Sequence, residues 1–527
     1  MKNNTHWQEA PFGILFENVT SSSLKLPQKS YLKTGKYQVI DQGENQIGGF
    51  TDSELLVHPG PLPVLVFGDH TRCVKFVSRP FVQGADGVKI LAPAPSASGR
   101  FLYWLLKQKT TEIRNKGYAR HFAELKKTRL FIPPLPEQHR IVAALESYLT
   151  RLDDAIASLE RVQRNLKRYR ASVLKAAVEG RLVPTEAELA RQEGRSYEPA
   201  PVLLERILVE RKKKWIEDAV EKGRTKAEEK IKKAGKPWTA EDDAKALEKE
   251  RAKATKKYKE PQPPDTEGLP DLPEGWCWAG PDQLAADEPY ALGIGPFGSN
   301  LRTPDYQTTG VPLVFVRNIR SERFGGQDDK FVSAGKAEEL KAHSIQPGDV
   351  LITKMGEPPG DSCLYPSDRP KAIITADCIK IRPHPSLKNG IYLVYAIRSH
   401  LIKTQISGIT KGVAQKKVSL ARFKTVAFPL PPVAEQERIV GQLERVLSVT
   451  NAESDIVQAN NHRIQRLRQS ILKWAFEGRL VDQDPNDEPA SVLLERIKAE
   501  RGAIGKENGN GRGKRRVRTG RSKGDGQ

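Results

Sequence analysis

The chain is predicted to be a mixed α/β protein built as two halves, each with a globular α/β module followed by one long helix. A proline-rich motif containing Glu-Gln and Arg-Ile-Val at residues 133–142 recurs at 431–440. A Glu-Gly-Arg-Leu-Val motif at 179–183 recurs at 477–481. Both pairs lie 298 residues apart, so the segments between the motifs have equal length. A repeat with this period indicates two structural halves, because solenoid repeats are far shorter.

Each repeated segment is predicted to form a single helix. Pro133 and Pro134 cannot lie inside a helix, because proline lacks an amide hydrogen and clashes with the preceding turn. Pro136 and Glu137 suit the first turn, and Gly180 lies where a C-terminal cap is expected. Apolar residues with a seven-residue period then indicate a coiled-coil seam, which consists of Leu145, Leu152, Leu159, Leu166 and Val173.

The second helix has a weaker seam. Its equivalent positions include Thr450, Ser454, Asn461 and Arg468. Polar residues at seam positions weaken a coiled coil but help to fix its register and partner. The alternative is two unrelated surface helices, each packed on its own module. The equal lengths of the two segments favour the coiled coil.

Composition limits the class of protein. The 527 residues have room for two or three domains, and the net charge of +21 with a pI near 9.6 indicates a polyanionic partner. No run of 18 apolar residues and no N-terminal signal pattern occurs in the sequence. The four cysteines form no Cys-x-x-Cys pair, so we expect reduced thiols in a cytosolic protein.

The first variable segment, residues 1–132, is called module 1. Apolar runs at 64–67 and 88–91 predict strands, and residues 101–109 predict a helix. Its loops carry amide and basic side chains of the kinds that contact DNA bases and phosphates, namely Gln42, Asn45, Gln46, His70, Arg72 and Lys75. The alternative is that Gln-Gly and Gly-Asp are ordinary turn dipeptides. Asp69 and His70 lack the further ligands that a metal site needs.

Residues 211–268 interrupt the repeat with a run rich in Lys, Glu and Ala that ends in a proline-rich stretch. The composition predicts either a charged helical hairpin or a semi-ordered linker. Because its charges alternate in sign, the sequence favours a solvated helix over a DNA-binding surface.

The second variable segment, residues 269–430, is called module 2. Its glycine-rich loop at 293–300 is not predicted to bind a nucleotide, because no helical pattern follows it. Residues 311–316 and 348–354 predict strands. The candidate DNA-contacting residues of this module are Asn300, Arg302, Arg317, Asn318, Lys354, Lys411, Lys416 and Lys417.

Catalytic motifs are not recognisable in the sequence. It contains neither the catalytic loop of amino-methyltransferases nor a phosphate-binding loop of ATP-driven motors. Asp305, Glu339 and Lys341 loosely resemble a nuclease set, but the spacing is long and such residues are common on helix surfaces. The sequence therefore predicts a binding and assembly protein.

The duplicated motifs, the heptad helices and the two unlike modules together resemble the specificity subunit of type I restriction–modification enzymes. Trp276, the Gly-Pro-Phe-Gly-Ser loop at 295–299 and residues 348–351 also resemble the usual second module of this family. Module 1 departs from the pattern because it lacks the Gly-Pro-Phe-Gly loop.

This resemblance implies two target recognition domains separated by two long helices packed as an antiparallel coiled coil, with pseudo-two-fold symmetry. It implies a non-catalytic subunit that reads a bipartite, asymmetric site in double-stranded DNA. Its implied partners are two methyltransferase subunits and, in a restricting enzyme, two restriction subunits. This chain would bind no cofactor and no metal. S-adenosylmethionine, ATP and Mg²⁺ would be bound by the partner subunits. The resemblance further implies a protein of the prokaryotic cytoplasm that is associated with the nucleoid.

The resulting domain prediction follows the repeat. It assigns 1–132 and 269–430 to the recognition domains, 133–210 and 431–501 to the helical repeats, 211–268 to the insertion, and 502–527 to a basic disordered tail. The repeated motifs are predicted to contact partner subunits through Glu137, Gln138, Arg140, Glu179, Gly180, Arg181, Glu435, Gln436, Arg438, Glu477, Gly478 and Arg479.

Two other classes of function stay open. One is a stand-alone DNA-binding coiled-coil scaffold without a modification partner. The other is an enzyme whose site the sequence does not reveal.

Overall fold

The computed structural model describes residues 6–84, 86–114, 117, 119–319, 323–326, 330–356, 358–388, 390–412 and 416–511. The chain divides into two compact units. Unit 1 comprises Met1–Arg161 with Val457–Gln527, and unit 2 comprises Val162–Ile456. Each unit therefore contains one module, the first part of the long helix that follows it and the last part of the other long helix.

The described residues of module 1 form three sheets, one of which is the two-stranded pair β1–β9, and three α-helices. Its strands are β1 (Gln8–Ala10), β2 (Phe16–Asn18), β3 (Tyr37–Ile40), β4 (Gly49–Thr51), β5 (Val64–Gly68), β6 (Val74–Val77), β7 (Phe81–Gln83), β8 (Val88–Pro93) and β9 (Leu130–Ile132). Its helices are α1 (Phe12–Leu15), α2 (Gly99–Glu112) and α3 (Phe122–Leu125). The two larger sheets have the orders β2-β8-β5-β6 and β4-β3-β7, with β3 and β7 parallel. The predicted strands and helix correspond to β5, β8 and α2.

The first repeated segment is one unbroken helix of 44 residues, α4 (Leu135–Val178), as predicted. Gly180 follows it with φ of +66°, the left-handed conformation that commonly ends a helix. The chain continues in unit 2 through α5 (Glu186–Glu193), α6 (Ala200–Lys233) and α7 (Ala240–Lys257).

Helices α6 and α7 pack together as a hairpin, which is one of the two alternatives that the composition predicted for 211–268. A capping box of Thr239 and Asp242 starts α7. Gly223 permits close packing, because a Cβ atom there would lie 2.6 Å from Glu250 Cγ. The predicted boundary between 210 and 211 is wrong as a structural boundary, since it falls inside α6.

Module 2 lies in unit 2 and has the same strand arrangement as module 1. Its strands are β10 (Cys277–Ala279), β11 (Leu292–Ile294), β12 (Val311–Val314), β13 (Phe331–Val332), β14 (Ser344–Ile345), β15 (Val350–Thr353), β16 (Ser362–Leu364), β17 (Ala372–Ile374), β18 (Cys378–Ile381) and β19 (Phe428–Leu430). Its helices are α8 (Pro281–Leu284), α9 (Val316–Ile319), α10 (Ala334–Glu339), α11 (Ile391–Arg398), α12 (His400–Gly408) and α13 (Leu420–Phe423).

The strand orders of the two modules correspond one to one. The sheet β11-β18-β15-β16 matches β2-β8-β5-β6, and β13-β12-β17 matches β4-β3-β7, with β14 added at the edge of module 2. The parallel pair β12–β17 matches β3–β7. The short pair β10–β19 likewise matches β1–β9. The modules are therefore duplicates in fold, although their loop sequences differ.

The second long helix, α14 (Val433–Phe476), also has 44 residues, and α15 (Ala490–Gly511) follows it. The predicted repeat boundary at 501 is wrong, because α15 continues through it. Residues 502–511 of the predicted disordered tail are likewise helical, and residues 512–527 lie outside the described residues. Within the described part of the chain, no helix is long and apolar enough to cross a membrane.

The two long helices run antiparallel within each unit. In unit 1, Asp153 Oδ1 of α4 lies 2.8 Å from Arg468 Nη1 of α14. In unit 2, Arg170 Nε of α4 donates to Thr450 Oγ1 of α14 at 3.0 Å. The early part of one helix thus lies beside the late part of the other, and the predicted antiparallel coiled coil is confirmed. The seam is buried at its ends, by Leu145, Leu152 and Val173, and half-buried at Leu159 and Leu166.

Candidate nucleic-acid interface

In module 2, four strands end at one edge of the fold, and the predicted DNA-contacting residues follow them. Strands β12 and β17 are parallel and end together, while β11 and β15 end beside the start of β18. The loop with Asn300 and Arg302 follows β11, Arg317 follows β12, and Lys354 follows β15. This end of the module is called reading edge 2. These loops bring together side chains from three separate parts of the sequence.

The three predicted lysines of the 411–417 loop lie against the same edge. Val418 N donates to Lys354 O at 3.0 Å, and Lys411 pairs with Lys417 through an isolated β-bridge. Lys411 and Lys416 are exposed, and Lys417 Nζ lies 3.5 Å from Asp377 Oδ1 in the β17–β18 turn. Residues 413–415 of this loop lie outside the described residues. The exposed lysines suit contact with DNA phosphates.

Arg317 and Asn318 are neighbours with different roles. Arg317 is exposed, and its guanidinium carbon lies 4.2 Å from the ring centroid of Phe315, which holds the side chain at the edge. Asn318 is buried, accepts from Phe315 N at 2.9 Å and donates to Gly325 O at 2.9 Å. The Asn318 amide therefore shapes the loop, and its predicted contact with DNA stays a prediction.

Module 1 has the equivalent reading edge 1. Strands β3 and β7 are parallel and end together, and β5 ends beside the start of β8. Asn45 and Gln46 follow β3 and are exposed, while His70 and Arg72 follow β5 and are half-buried. Gln42 connects two loops, since its Oε1 accepts from His70 N at 3.3 Å and its Nε2 donates to Asp86 O at 3.1 Å.

Two candidates of module 1 are structural. Lys75 is only 3 % exposed, and its Nζ lies 3.3 Å from Asp41 Oδ1, so the structure gives it a contact inside the module and its predicted DNA contact stays a prediction. Arg72 donates to Ile113 O at 2.7 Å and has φ of +62°. Asp69 is also buried, and its Oδ1 accepts from Phe122 N at 2.8 Å, so this carboxylate has a structural role in the loop.

Each long helix begins at a junction that fixes it to its own module. Trp7 Nε1 donates to Glu137 Oε1 at 3.0 Å in unit 1, and Trp276 Nε1 donates to Glu435 Oε1 at 3.1 Å in unit 2. Each tryptophan directly precedes the strand, β1 or β10, that pairs with the last strand of the module. A carboxylate near a helix N-terminus is also favoured by the helix dipole.

The glutamines after these glutamates complete the junctions. Gln138 Nε2 donates to Pro133 O at 2.9 Å, and Gln436 Nε2 donates to Pro431 O at 2.8 Å. Gln138 and Gln436 are buried, as are both junction glutamates. Because all four side chains are buried and hydrogen-bonded inside their own units, their role in subunit assembly stays a prediction. The Glu-Gln motif fixes the start of each helix.

Burial shapes the electrostatics of both junctions. It raises the pKa of Glu137 and raises the pKa of Glu435 to about 7, while the hydrogen bonds from Trp7 and Trp276 act in the opposite direction. Glu435 Oε2 also accepts from Glu186 N at 2.8 Å. The Glu435 carboxyl therefore titrates near neutral pH.

The other motif residues lie at the surface or just inside it. Arg140 is paired with Asp487 at 2.7 Å and Arg438 with Glu186 at 2.6 Å. Glu179 pairs with Arg181, and Glu477 with Arg479, across the two left-handed glycines Gly180 and Gly478. Their role in subunit assembly stays a prediction.

The structure adds residues that the sequence did not single out. Trp7 is the counterpart of Trp276, which only strand pairing reveals, because the segments around the two tryptophans differ. Phe297 follows β11 in the glycine-rich loop and is 68 % exposed. Its flanking glycines marked a loop, but not which side chain would project from it.

The contacts of Glu339 and Lys341 do not favour the loose nuclease-like set that these residues form with Asp305 in the sequence. Lys341 Nζ pairs with Glu338 at 2.7 Å, and Glu339 pairs with Lys336 at 2.9 Å, so both residues are in local helical ion pairs. No group of three or more His, Cys, Asp or Glu residues suited to a metal ion occurs among the described residues. All four cysteines are free, and burial raises the pKa of Cys277, Cys363 and Cys378 to about 12.

Comparison with known proteins agrees with this organisation. Residues 317–459 match a family described as type I restriction modification DNA specificity domain. The EcoBI specificity subunit of Escherichia coli is 25 % identical over 465 residues, which cover 85 % of this chain and 81 % of that protein. The EcoEI specificity subunit of Escherichia coli is 27 % identical over 396 residues, covering 65 % of this chain and 56 % of that protein.

A solved structure from work on complex assembly and conformational transition of the type I R-M system has the same fold. Its TM-score is 0.53 at 17 % identity, and the match covers 91 % of this chain and all of the other. This structure shows the fold, and the family match over residues 317–459 with the two specificity subunits confirms the predicted family resemblance.

Proposed function

We infer that this chain is a type I restriction–modification specificity subunit, and we propose that it reads a bipartite, asymmetric DNA target for its partner subunits. The observation that carries this proposal is the duplication of one module with two different reading edges. Equal folds with unlike loops suit the recognition of two unlike half-sites.

The chemistry of the reading edges supports DNA as the ligand. Edge 1 presents the amides of Asn45 and Gln46, and edge 2 presents Arg302, Arg317 and the exposed lysines. Amide and guanidinium groups can form bidentate hydrogen bonds with base edges, whereas lysines contribute phosphate contacts. The net charge of +21 supplies a further attraction to the polyanion.

We further propose that each helix junction binds one methyltransferase subunit, which gives two per chain. The two junctions share the tryptophan–glutamate and glutamine–proline hydrogen bonds, so a partner that fits one surface has a second, similar surface. Exposed motif residues beside the junctions, including Arg181 and Arg479, are the candidates for this contact. Two restriction subunits would join the same assembly.

Catalysis is assigned to the partners. The methyltransferase subunits would bind S-adenosylmethionine, and the restriction subunits would use ATP and Mg²⁺. This chain would bind neither cofactor nor metal and would neither methylate nor cut DNA by itself. The assembled complex would act in the cytoplasm of a bacterial cell, in association with the nucleoid.

Methylome sequencing tests the proposal. Cells that carry this chain with its methyltransferase should show one asymmetric motif of two specified parts with an unspecified spacer, and cells without this chain should lack it. A chimera with another module in place of residues 1–132 should change one half-site only. Specific DNA binding without recruitment of a methyltransferase would favour the stand-alone scaffold instead. Methyl transfer by the purified chain alone would show that it is an enzyme.

A further inference from the structure

Phe297 is the most exposed aromatic side chain among the described residues, with 68 % of its surface accessible. It lies in the loop after β11, at reading edge 2. Burial of a phenyl ring is favourable by about 1.5–3 kcal/mol, so a contact that covers this ring on binding would contribute to affinity.

The loop is built to hold this ring outwards. Gly295 lies tightly against the β17–β18 turn, where a Cβ atom would be 2.1 Å from Thr375 O, and Pro296 is buried. Asn300 N donates to Phe297 O at 2.9 Å, which closes a turn, and Gly298 has open space around it. The base of the loop is therefore fixed to the edge while its tip reaches solvent.

The polar groups around the loop identify the surface that the ring would meet. Lys354 Nζ donates to Ala376 O at 3.3 Å beside the Gly295 contact, and Lys417 lies against Asp377 in the same turn. The ring thus projects from an edge that also presents cations. A phenyl group forms no conventional hydrogen bond with a base, so any sequence information that it contributes is apolar.

We propose that Phe297 is a specificity-determining residue that recognises a thymine of the second half-site through its 5-methyl group. In the major groove this methyl is the apolar group by which thymine differs from cytosine, and apolar side chains including phenylalanine contact it. The inference rests on the proposed function, since it assigns one base contact within that recognition. It requires the half-site of module 2 to contain a specified A·T pair.

Replacement of thymine by deoxyuridine tests the contact, because it removes only the methyl group. Duplexes with the methylome-defined target are prepared with each half-site thymine replaced in turn, and the complete methyltransferase complex is titrated with each. One replacement in the second half-site should weaken binding about fourfold, the value of one buried methyl group. The same replacement should have no effect on a complex with Phe297→Ser.

Tyr290→Ser provides the matched control. Tyr290 is 59 % exposed and belongs to the same module, but it precedes β11 whereas Phe297 follows it. The Tyr290 variant should keep the full response to deoxyuridine. If the intact complex binds every deoxyuridine duplex equally well, or if Phe297→Ser retains the response, the proposal is overturned while specific binding still supports the proposed function.

A second readout separates a groove contact from insertion between bases. With 2-aminopurine placed next to the responsive thymine, the complex should leave fluorescence at the level of stacked duplex. A strong increase that disappears in Phe297→Ser would mean that the ring unstacks the bases, and would overturn the methyl contact. Loss of all sequence-specific binding by the intact complex would instead contradict the proposed function.

Discussion

Arg438 forms an ion pair with Glu186, whose Oε2 lies 2.6 Å from Arg438 Nη1. The residue equivalent to Arg438 in the first repeat is Arg140, and it pairs with Asp487 at 2.7 Å. In both cases an arginine near the start of one long helix pairs with an acidic residue in the segment that follows the end of the other long helix. The duplicated arginine therefore joins the two repeats within each unit.

We expect the two arginines to differ in their contribution to stability. Glu186 also pairs with Arg195 at 2.5 Å, so Arg438→Met leaves its buried carboxylate with one cation. Among the described residues Asp487 pairs with Arg140 alone, so Arg140→Met should destabilise unit 1 more, by about 1–3 kcal/mol. Hydrogen exchange of peptides from each unit measures the two effects separately. An equal loss of stability in the two variants would contradict the inference that Arg195 compensates for the loss of Arg438.

The tryptophan–glutamate junctions make a second prediction. Trp276→Phe and Trp7→Phe keep an apolar ring but remove the donor to a buried carboxylate, and each should destabilise its own unit by about 1–3 kcal/mol. Trp104→Phe is the control, because its indole also donates to a glutamate, Glu146, whose side chain is 35 % exposed. Thermal unfolding of the three variants should rank Trp104→Phe as the mildest. If Trp104→Phe is as destabilising as the other two variants, burial of the glutamate does not determine the loss of stability.

Glu435 predicts a pH dependence of stability in unit 2. Because burial raises its pKa from 4.5 to about 7, the folded unit retains a proton that the unfolded chain releases. The resulting stabilisation is complete below pH 4.5 and is lost as the pH rises through about 7. The free energy of unfolding of unit 2 should therefore fall over this window, and Glu435→Gln should flatten the profile.

The control for this profile is Glu146→Gln, which removes a carboxyl from unit 1 and should leave the profile of unit 2 unchanged. Urea titrations at several pH values, followed by exchange of peptides from the start of α14, give the measurement. A profile that rises between these pH values, or one that Glu435→Gln leaves intact, would show that Glu435 is not the group responsible.

The fold was predictable where the sequence has a periodic pattern of apolar residues or a duplicated motif. The length of α4 and α14, the cap at Gly180 and the separation of the modules follow from spacing alone. The site was predictable only by residue type. Lys75 and Asn318 have the chemistry of DNA contacts, yet strand pairing and loop closure bury them, and neither effect is local in sequence. The Glu-Gln motif was recognised, but its buried partners Trp7 and Pro133 appear only in three dimensions.

The burial of Lys75 leads to the last prediction, which concerns the salt dependence of DNA binding. Lys411 and Lys416 are exposed at reading edge 2, so each can neutralise a phosphate and release a counterion. The double variant Lys411→Ala/Lys416→Ala should bind more weakly and should reduce the slope of log K against log salt by about 1.8. Lys75→Met removes one cation as well, but it should leave the slope unchanged because Lys75 is paired with Asp41 inside module 1.

Fluorescence anisotropy of the complete methyltransferase complex, measured at several salt concentrations, distinguishes these effects. The methylated motif should stay the same in the lysine double variant, because phosphate contacts carry no base information. A smaller slope in Lys75→Met would mean that this lysine leaves Asp41 and reaches the DNA. An unchanged slope in the double variant would mean that the duplex does not lie against the 411–417 loop.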